Sequence, residues 1–150
     1  MKIYLASDHG GYYLKEEIKN HLKNQGHDVS DFGNTIFDPN DDYTSFVLPL
    51  AQKVAKDKRT LGVIFGRSGN GEVIAANKVK DIRAALCLSE KMARRAREHN
   101  NANILSLGAE YISPTSAKKI VTAFLKTSFS SAIRHKRRVK AISAYESSHS

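Results

Sequence analysis

The feature that most constrains the fold of this chain is an alternation of short apolar runs with segments of helical periodicity. The run "LGVIFG" (61–66) is apolar at consecutive positions, which is typical of a strand buried on both faces. Four more strand-like runs are "KIYLA", "HDVSDFG", "IRAALCL" and "ANILSLG". Because helical segments separate the five runs, the pattern predicts an α/β fold with a five-stranded parallel sheet covered on both faces.

Apolar residues recur at helical spacing in the segments between these runs. The predicted helices cover 12–23, 43–56, 72–78, 89–100, 114–126 and 132–145. Ser89 and Ser113 are expected to cap two of them, and Pro49 predicts a kink or a late start in another. The length of 150 residues favours a single domain, with 146–150 as a frayed tail.

The chain is basic, and its charge is concentrated near the carboxyl end. The formal net charge is +9, and residues 112–150 hold eight Lys or Arg against one acid, Glu146. An anionic partner fits this balance, either nucleic acid or a small phosphorylated molecule, but a solvated helix face fits it as well. The densest stretch, "RHKRRVK" (134–140), has no aromatic residues for stacking on bases, which counts against nucleic acid.

Several classes of protein are not expected from the sequence. The chain has no apolar run long enough for a transmembrane helix, and its first residues become polar too soon for a signal peptide. The single cysteine, Cys87, excludes an intrachain disulfide, and its apolar surroundings favour a buried, inert thiol. The six histidines show no spacing typical of a metal site, so no metal or other cofactor is expected. A cytoplasmic location fits these features.

The stretch "GRSGNGE" (66–72) follows the most apolar run and enters a predicted helix. Gly66, Gly69 and Gly71 allow a sharp turn and a close approach of the backbone to a ligand. The spacing matches neither the ATP-binding loop nor the dinucleotide-binding loop, so the stretch is either a cradle for an anion or a tight strand–helix turn. Glu72 then either complements the helix dipole or acts as a general base beside the cradled oxygen.

Two further stretches place polar residues next to predicted strands. "SDHGG" puts Asp8 and His9 at a strand end, where they suit acid–base work or contact with a phosphate, or are only a cap beside a surface histidine. "REHNNAN" holds His99 and Asn100, which also suit a helix terminus. Because sites in parallel sheets form at the carboxyl ends of the strands, we expect both stretches to lie near the glycine loop.

The basic stretch near the carboxyl end has a spacing of its own. Arg134 and Arg138 are four residues apart and share one face of the last predicted helix. Two guanidinium groups on one face suit a phosphate dianion. This face is therefore a candidate phosphate site.

Five motifs of the chain occur together and in a fixed order: "SDHGG", "GRSGNGEVIAANK", "IRAAL", "ARRAREHNNAN" and "RHKRRV". As a set they resemble the ribose-5-phosphate isomerase B family, which also includes galactose-6-phosphate isomerase subunits, over about 3–142. The resemblance implies a Rossmann-like, three-layer fold with a C-terminal helix. It implies isomerisation of a sugar phosphate through an enediolate without a cofactor, in a homodimer or a dimer of dimers whose active sites draw on both subunits. No nucleic acid or membrane partner is implied.

The resemblance also assigns catalytic roles. Many family members carry a cysteine base where this chain has Gly66, and another branch uses a glutamate at the position of Glu72, so Glu72 is implied as the base here. The residues implied to assist catalysis are Ser68, Asp8, His99 and Asn100. Asp8 and His99 are implied in opening the sugar ring, and the other two in stabilising the enediolate.

The resemblance assigns a second set of residues to binding of the substrate. This set comprises His9, Tyr43, Gly66, Arg67, Gly69, Asn70, Gly71, Arg134 and Arg138. His9 and the two arginines of the last helix are implied to face the phosphate, and Tyr43 the sugar.

Three positions depart from the family pattern. Glu110 follows "LGA", where the family has an arginine, and Arg67 stands in the loop, where the family has a small residue. "SSAI" replaces the usual double glycine before the basic helix. These departures leave two alternatives open: an isomerase of hexose 6-phosphates and a noncatalytic paralogue that binds phosphorylated sugars.

Overall fold

In the computed structural model, which describes all residues from 1 to 150, five strands form one sheet in which every pair of neighbours is parallel. The strands are β1 (Lys2–Ser7), β2 (Asp28–Asp31), β3 (Thr60–Gly66), β4 (Ala84–Leu86) and β5 (Ile104–Gly108). Their order is β2-β1-β3-β5-β4, so β3 lies at the centre. The predicted five-stranded parallel sheet is confirmed.

Six α-helices accompany the strands. They are α1 (Tyr12–Asn24), α2 (Thr44–Lys56), α3 (Asn70–Ala76), α4 (Glu90–Asn100), α5 (Pro114–Lys126) and α6 (Ile133–Ser148). α3 begins two residues earlier than predicted, because Gly69 already makes the turn into the helix with φ +82°. α6 continues to Ser148, so only the last two residues of the expected frayed tail lie beyond the helix.

The helix ends and the proline follow from local chemistry. Ser89 Oγ accepts from the N–H of Met92, and Ser113 Oγ accepts from that of Ser116, each at 3.2 Å, so both predicted caps are confirmed. Pro49 lies inside α2, which begins at Thr44, so the predicted late start is wrong. Packing of the buried face of α2 on the sheet offsets the hydrogen bond that proline cannot make.

The core consists of two apolar layers, one on each face of the sheet. One layer joins α1, α4 and α5 to strand residues such as Val63 and Phe65, and the other joins α2 and α3 to strand residues such as Ile64. Every residue of β3 is buried, because side chains on both of its faces enter a layer. This explains the consecutive apolar run and gives the three-layer fold expected from the sequence.

The sheet has a carboxyl edge, where all five strands end, and an amino edge, where they begin. α4 leaves β4 at the carboxyl edge and returns to the start of β5, so its last residues lie at the amino edge. Nε of Arg83, just before β4, donates to the carbonyls of Asn100 and Asn101 at 3.0 and 3.1 Å. The expectation that "REHNNAN" lies beside the glycine loop is therefore wrong within one chain.

Cys87 is buried in the layer of α1, α4 and α5, and burial raises its pKa to about 11, so the thiol stays protonated at neutral pH as expected for an inert cysteine. None of the helices combines the length and the apolar character needed to cross a lipid bilayer.

Candidate active site

The glycine loop leaves β3 at the carboxyl edge and is fixed by its neighbours. Ser106 Oγ, buried in β5, donates to the carbonyl of Gly69 at 2.8 Å. A Cβ on Gly108 would collide with the carbonyl of Ser68, so β5 and the loop are packed backbone against backbone. The N–H groups of Ser68, Gly69 and Gly71 donate no hydrogen bond within the chain. Three free donors in a fixed loop form a cradle for an oxyanion.

Glu72 lies in the first turn of α3 with its side chain turned inward. The residue is only 4% exposed, and burial, assisted by the charge of Asp8, raises the pKa of its carboxyl group. A raised pKa suits a general base that takes and returns a proton near neutral pH.

Gly66 provides the space that the Glu72 carboxyl group occupies. A Cβ on Gly66 would overlap the carboxyl carbon and both oxygens of Glu72. A side chain at position 66 and the inward carboxyl group of Glu72 therefore exclude each other. This gives a physical reason for the absence of a cysteine at the start of this loop.

Asp8 and Tyr43 complete the surroundings of the loop. Asp8 follows β1, is nearly buried, and accepts from the N–H of Gly10 at 2.9 Å. The Tyr43 ring, at the start of α2, lies so close to the loop that a Cβ on Gly71 would be 2.7 Å from it. Asn70 donates from its N–H to Ser68 Oγ at 3.2 Å, which orients the hydroxyl group in the loop.

His9 is held by a carboxylate that the sequence did not single out. Its Nδ1 lies 2.7 Å from Asp41 Oδ1, and its backbone N–H donates to the same oxygen at 2.9 Å. Asp41 stands in the turn-rich stretch "DPNDDY" with two other acids. Nothing in the local pattern distinguishes it from Asp38 or Asp42, because its contact with His9 joins residues 32 positions apart.

The two residues that depart from the family pattern lie side by side. Arg67 Nη1 is 3.8 Å from Glu110 Oε1, and the two side chains are 67% and 52% exposed. Arg67 also packs beside Gly10, whose added Cβ would be 2.9 Å from the Arg67 backbone nitrogen. Arg67 therefore lies next to the strand end that carries His9.

The remaining predicted site residues gather at the amino edge. The His99 ring packs against the buried His135 of α6, with ring centroids 4.2 Å apart and ring planes tilted by 30°. His99 Nε2 lies 3.0 Å from Arg95 Nη1. Arg134 and Arg138 are exposed on α6, and neither forms an ion pair with a carboxylate.

The structure thus brings the predicted residues together in two groups rather than one. The carboxyl-edge group comprises Asp8, His9, Tyr43 and the loop 66–72. The amino-edge group comprises His99, Asn100, Arg134 and Arg138. The sheet separates the two groups within one chain, because its strands run from one edge to the other.

One cluster of possible metal ligands lies in the carboxyl-edge group. Asp8, His9 and Asp41 offer ligand atoms within 4.8 Å of one another. Asp41 Oδ1 already accepts from His9, Asp41 Oδ2 accepts from Asn34 Nδ2 at 2.7 Å, and Asp8 accepts from Gly10. His9 Nδ1 and both oxygens of Asp41 are therefore already engaged in hydrogen bonds within this group.

Comparison with known proteins identifies the family. The sequence model of the family described as ribose/galactose isomerases matches residues 3–142. The chain belongs to this family. Its members include ribose-5-phosphate isomerase B of Mycobacterium tuberculosis, which is 44% identical over 149 residues, covering 99% of this chain and 92% of that protein.

Solved structures of family members have the same fold. Ribose-5-phosphate isomerase B from Mycoplasma genitalium, with bound ribulose 5-phosphate, superposes with a TM-score of 0.93 at 44% identity, covering 97% of this chain and 96% of that one. The enzyme from Clostridium thermocellum superposes with a TM-score of 0.94 at 44% identity over 100% of both chains. The Rossmann-like architecture implied by the sequence motifs is confirmed.

Proposed function

We propose that this family member interconverts ribose 5-phosphate and ribulose 5-phosphate. The observation that carries the proposal is the buried Glu72 carboxyl group, which fills the space beside Gly66 and adjoins three free N–H groups of the same loop. The proposal is supported by relatives that bear the name ribose-5-phosphate isomerase B and by one such structure that contains ribulose 5-phosphate.

The proposed reaction needs one base and one cradle. Glu72 removes the proton from C2 of the open-chain aldose, and the electron pair moves onto the C1 oxygen to give an enediolate. The hydroxyl proton on the C2 oxygen then passes to the C1 oxygen, and the negative charge moves to the C2 oxygen. The same carboxyl group returns the first proton to C1 as the C2 carbonyl forms, which leaves the ketose. The N–H groups of Ser68, Gly69 and Gly71, with the Ser68 hydroxyl group, stabilise the negative oxygen while it exists.

The other residues bind the sugar phosphate and prepare it for this step. Asp8 and His99 open the furanose ring by moving a proton between the ring oxygen and the C1 hydroxyl group, and Asn100 assists the enediolate. Tyr43 and Asn70 contact the sugar. His9, Arg134 and Arg138 bind the phosphate, at the end of the sugar away from the reacting carbons. This binding holds C1 and C2 next to the base.

Because the two groups lie at opposite edges of the sheet in one chain, the proposal requires a second copy. In a homodimer, the amino-edge group of one subunit would meet the carboxyl-edge group of the other. The exposed, unpaired arginines of α6 are available for such a contact. A dimer of dimers is compatible with the same arrangement, which is isologous and leaves other surfaces free.

Arg67 and Glu110, the two residues that depart from the family pattern, also have roles in the proposed site. We assign Arg67 to the substrate phosphate, because it lies beside the His9 strand end and its long side chain is exposed. Glu110 then keeps the guanidinium group oriented at the mouth of the site. The pentose substrate is favoured over a hexose 6-phosphate by the relatives named above.

The proposal extends to the setting of the reaction. The enzyme would act without a metal or another cofactor in the cytoplasm, within pentose phosphate metabolism. It would bind neither nucleic acid nor membranes, and the +9 net charge would attract its anionic substrate.

The base is tested by replacing Glu72 with Gln, which keeps the shape of the side chain and removes its basicity. We expect Glu72→Gln to lower kcat for conversion of ribose 5-phosphate by about 10²-fold to 10⁴-fold. Glu17→Gln, an exposed glutamate of α1, is the matched control and should keep full activity. Full activity of Glu72→Gln, measured by ketose formation in buffer without added metal, would exclude Glu72 as the base.

A further inference from the structure

We propose that Asp41 is the positioning residue for His9: it fixes the imidazole ring through Nδ1 and keeps the ring cationic, so that Nε2–H is presented to the substrate phosphate. The inference rests on the proposed function, since the phosphate is the group that His9 would meet. None of the five motifs that resemble the family includes Asp41.

The contacts between the two residues leave one orientation of the ring. Asp41 Oδ1 accepts from both the backbone N–H and the Nδ1–H of His9, at 2.9 and 2.7 Å. Nε2 of His9 makes no hydrogen bond within the chain and is not buried. A ring whose Nδ1 is taken by a carboxylate has Nε2 as its free donor, in the manner of histidines oriented by an acid elsewhere in proteins.

Asp41 is itself held in place by a series of further hydrogen bonds. Asn34 Nδ2 donates to Asp41 Oδ2 at 2.7 Å. The backbone of Asn34 is fixed in turn, because its N–H donates to the Ser7 carbonyl at 2.7 Å and its carbonyl accepts from Lys15 Nζ at 2.8 Å. Lys15 is fully buried and is neutralised by Asp31. The carboxylate therefore has little freedom to follow His9 if the ring moves.

The two residues differ in exposure, as expected if Asp41 supports the ring and His9 contacts the phosphate. The Asp41 side chain is 6% exposed, whereas that of His9 is 27% exposed. A phosphate can approach the ring but not the carboxylate. The negative charge of Asp41 therefore acts on the phosphate only through the imidazolium that it stabilises.

The charges around the pair favour an imidazolium. The hydrogen bond to Asp41 raises the pKa of His9 against its partial burial; the negative charges of Asp8 and Asp41 add to this, and Arg67 opposes it. Burial of Asp41 acts to raise the pKa of its carboxyl group, but hydrogen bonds from His9 and Asn34 outweigh this and lower it. The imidazolium of His9 therefore persists to higher pH than that of an ordinary histidine, and it is lost as pH rises through the raised pKa of His9.

Two roles for Asp41 can be distinguished with a variant of equal size. Asp41→Asn keeps an oxygen that can accept from His9 but removes the charge. If Asp41 only shaped the loop, the variant would lower stability and affect both kcat and KM. If Asp41 positions and charges His9, the variant acts on KM and on its pH dependence. Asp38→Asn, an exposed acid of the same loop, is the matched control.

The first measurement follows the His9 ring by NMR with ¹⁵N-labelled imidazole. In the wild type we expect a proton on Nδ1 and a pKa above that of an ordinary histidine, and in Asp41→Asn a lower pKa. An unchanged His9 titration in Asp41→Asn would overturn the proposal. If Asp41→Asn does not fold, the wild type decides alone, because a His9 pKa at or below the ordinary value contradicts the proposed pairing.

The second measurement uses ribose 5-phosphate turnover over a range of pH. We expect Asp41→Asn to raise KM by about 10-fold to 100-fold with kcat nearly unchanged, and its KM to begin rising at lower pH than in the wild type. The double variant His9→Asn/Asp41→Asn should be no worse than His9→Asn alone. Additive losses would contradict the proposal. A wild type that cannot convert ribose 5-phosphate would overturn the proposed function, while the His9 titration would still decide the positioning.

Discussion

The carboxyl-edge group and the amino-edge group differ in how firmly the fold holds them. At the carboxyl edge, Glu72 is buried, Asp8 is nearly buried, and the loop around them is packed so closely that added Cβ atoms would collide. At the amino edge, Arg134 and Arg138 lie exposed on a helix of 16 residues whose one buried residue is His135.

Under the proposed function, the two groups meet two different catalytic requirements. Proton transfer needs a base fixed against the reacting carbon, and the three-layer core supplies that rigidity at the ends of β1 and β3. Phosphate binding needs charge within reach of the substrate, and long exposed arginines supply that. In the proposed homodimer, a subunit would keep the base in its own core and take the phosphate-binding arginines from its partner.

The largest loss of activity is expected at the carboxyl edge, from the substitution Gly66→Ala. The new methyl group would occupy the position of the Glu72 carboxyl group and displace the base. We expect kcat to fall by about 10²-fold or more, since a displacement of this size moves the base out of line with the carbon. The control is Gly26→Ala, whose added Cβ meets no atom within 4 Å, although the φ of +82° at Gly26 disfavours alanine. It should lose some stability and no activity, whereas an active Gly66→Ala would refute the packing argument.

A smaller effect is expected at the exposed edge. Arg138→Ala would remove the charged contact with the phosphate that we propose, so we expect kcat/KM for ribose 5-phosphate to fall by about 10-fold to 100-fold, mainly through KM. Arg137→Ala, the neighbouring exposed residue of α6, should have little effect. Thermal denaturation should show the same Tm for both variants, because neither arginine forms an ion pair. Equal losses of kcat/KM in the two variants would mean that net charge alone attracts the substrate.

The smallest expected effect is a shift of the pH profile. Glu72 must be ionised to act as a base, so kcat falls as pH drops through its raised pKa. Asp8→Asn removes a charge that contributes to this raised pKa, so the acid limb of the profile should move to lower pH. The maximum should also fall, because the proposed mechanism gives Asp8 a role in ring opening. An acid limb that stays in place would show that burial alone sets the pKa of Glu72.

Much of the fold could be predicted because its determinants are local. The consecutive apolar run of β3 and the serine caps of α4 and α5 act over a few residues, and the structure confirms them. The exact start of α3 could not be read in the same way, because either Gly69 or Gly71 could have made the turn.

The site was predictable only where its residues are adjacent in the sequence. The loop 66–72 carries its own glycines and its acid, so its chemistry is visible as a string. The placement of His99 and Asn100 depends on the direction of α4 across the sheet, and the pairing of Asp41 with His9 depends on a contact over 32 residues. The predicted position of His99 and Asn100 was therefore wrong, and the pairing of Asp41 with His9 was not predicted, because neither depends on local spacing.

The most direct test of a site shared between two subunits is a mixed dimer. One copy carries Glu72→Gln, the other carries Arg134→Ala and Arg138→Ala, and each copy has its own affinity tag so that heterodimers can be purified. If the groups combine across subunits, each heterodimer has one intact site and should show about half of the wild-type kcat/KM, although both homodimers are impaired in kcat/KM. A heterodimer no more active than the two homodimers would contradict the account, since it would place both groups of each site in one chain.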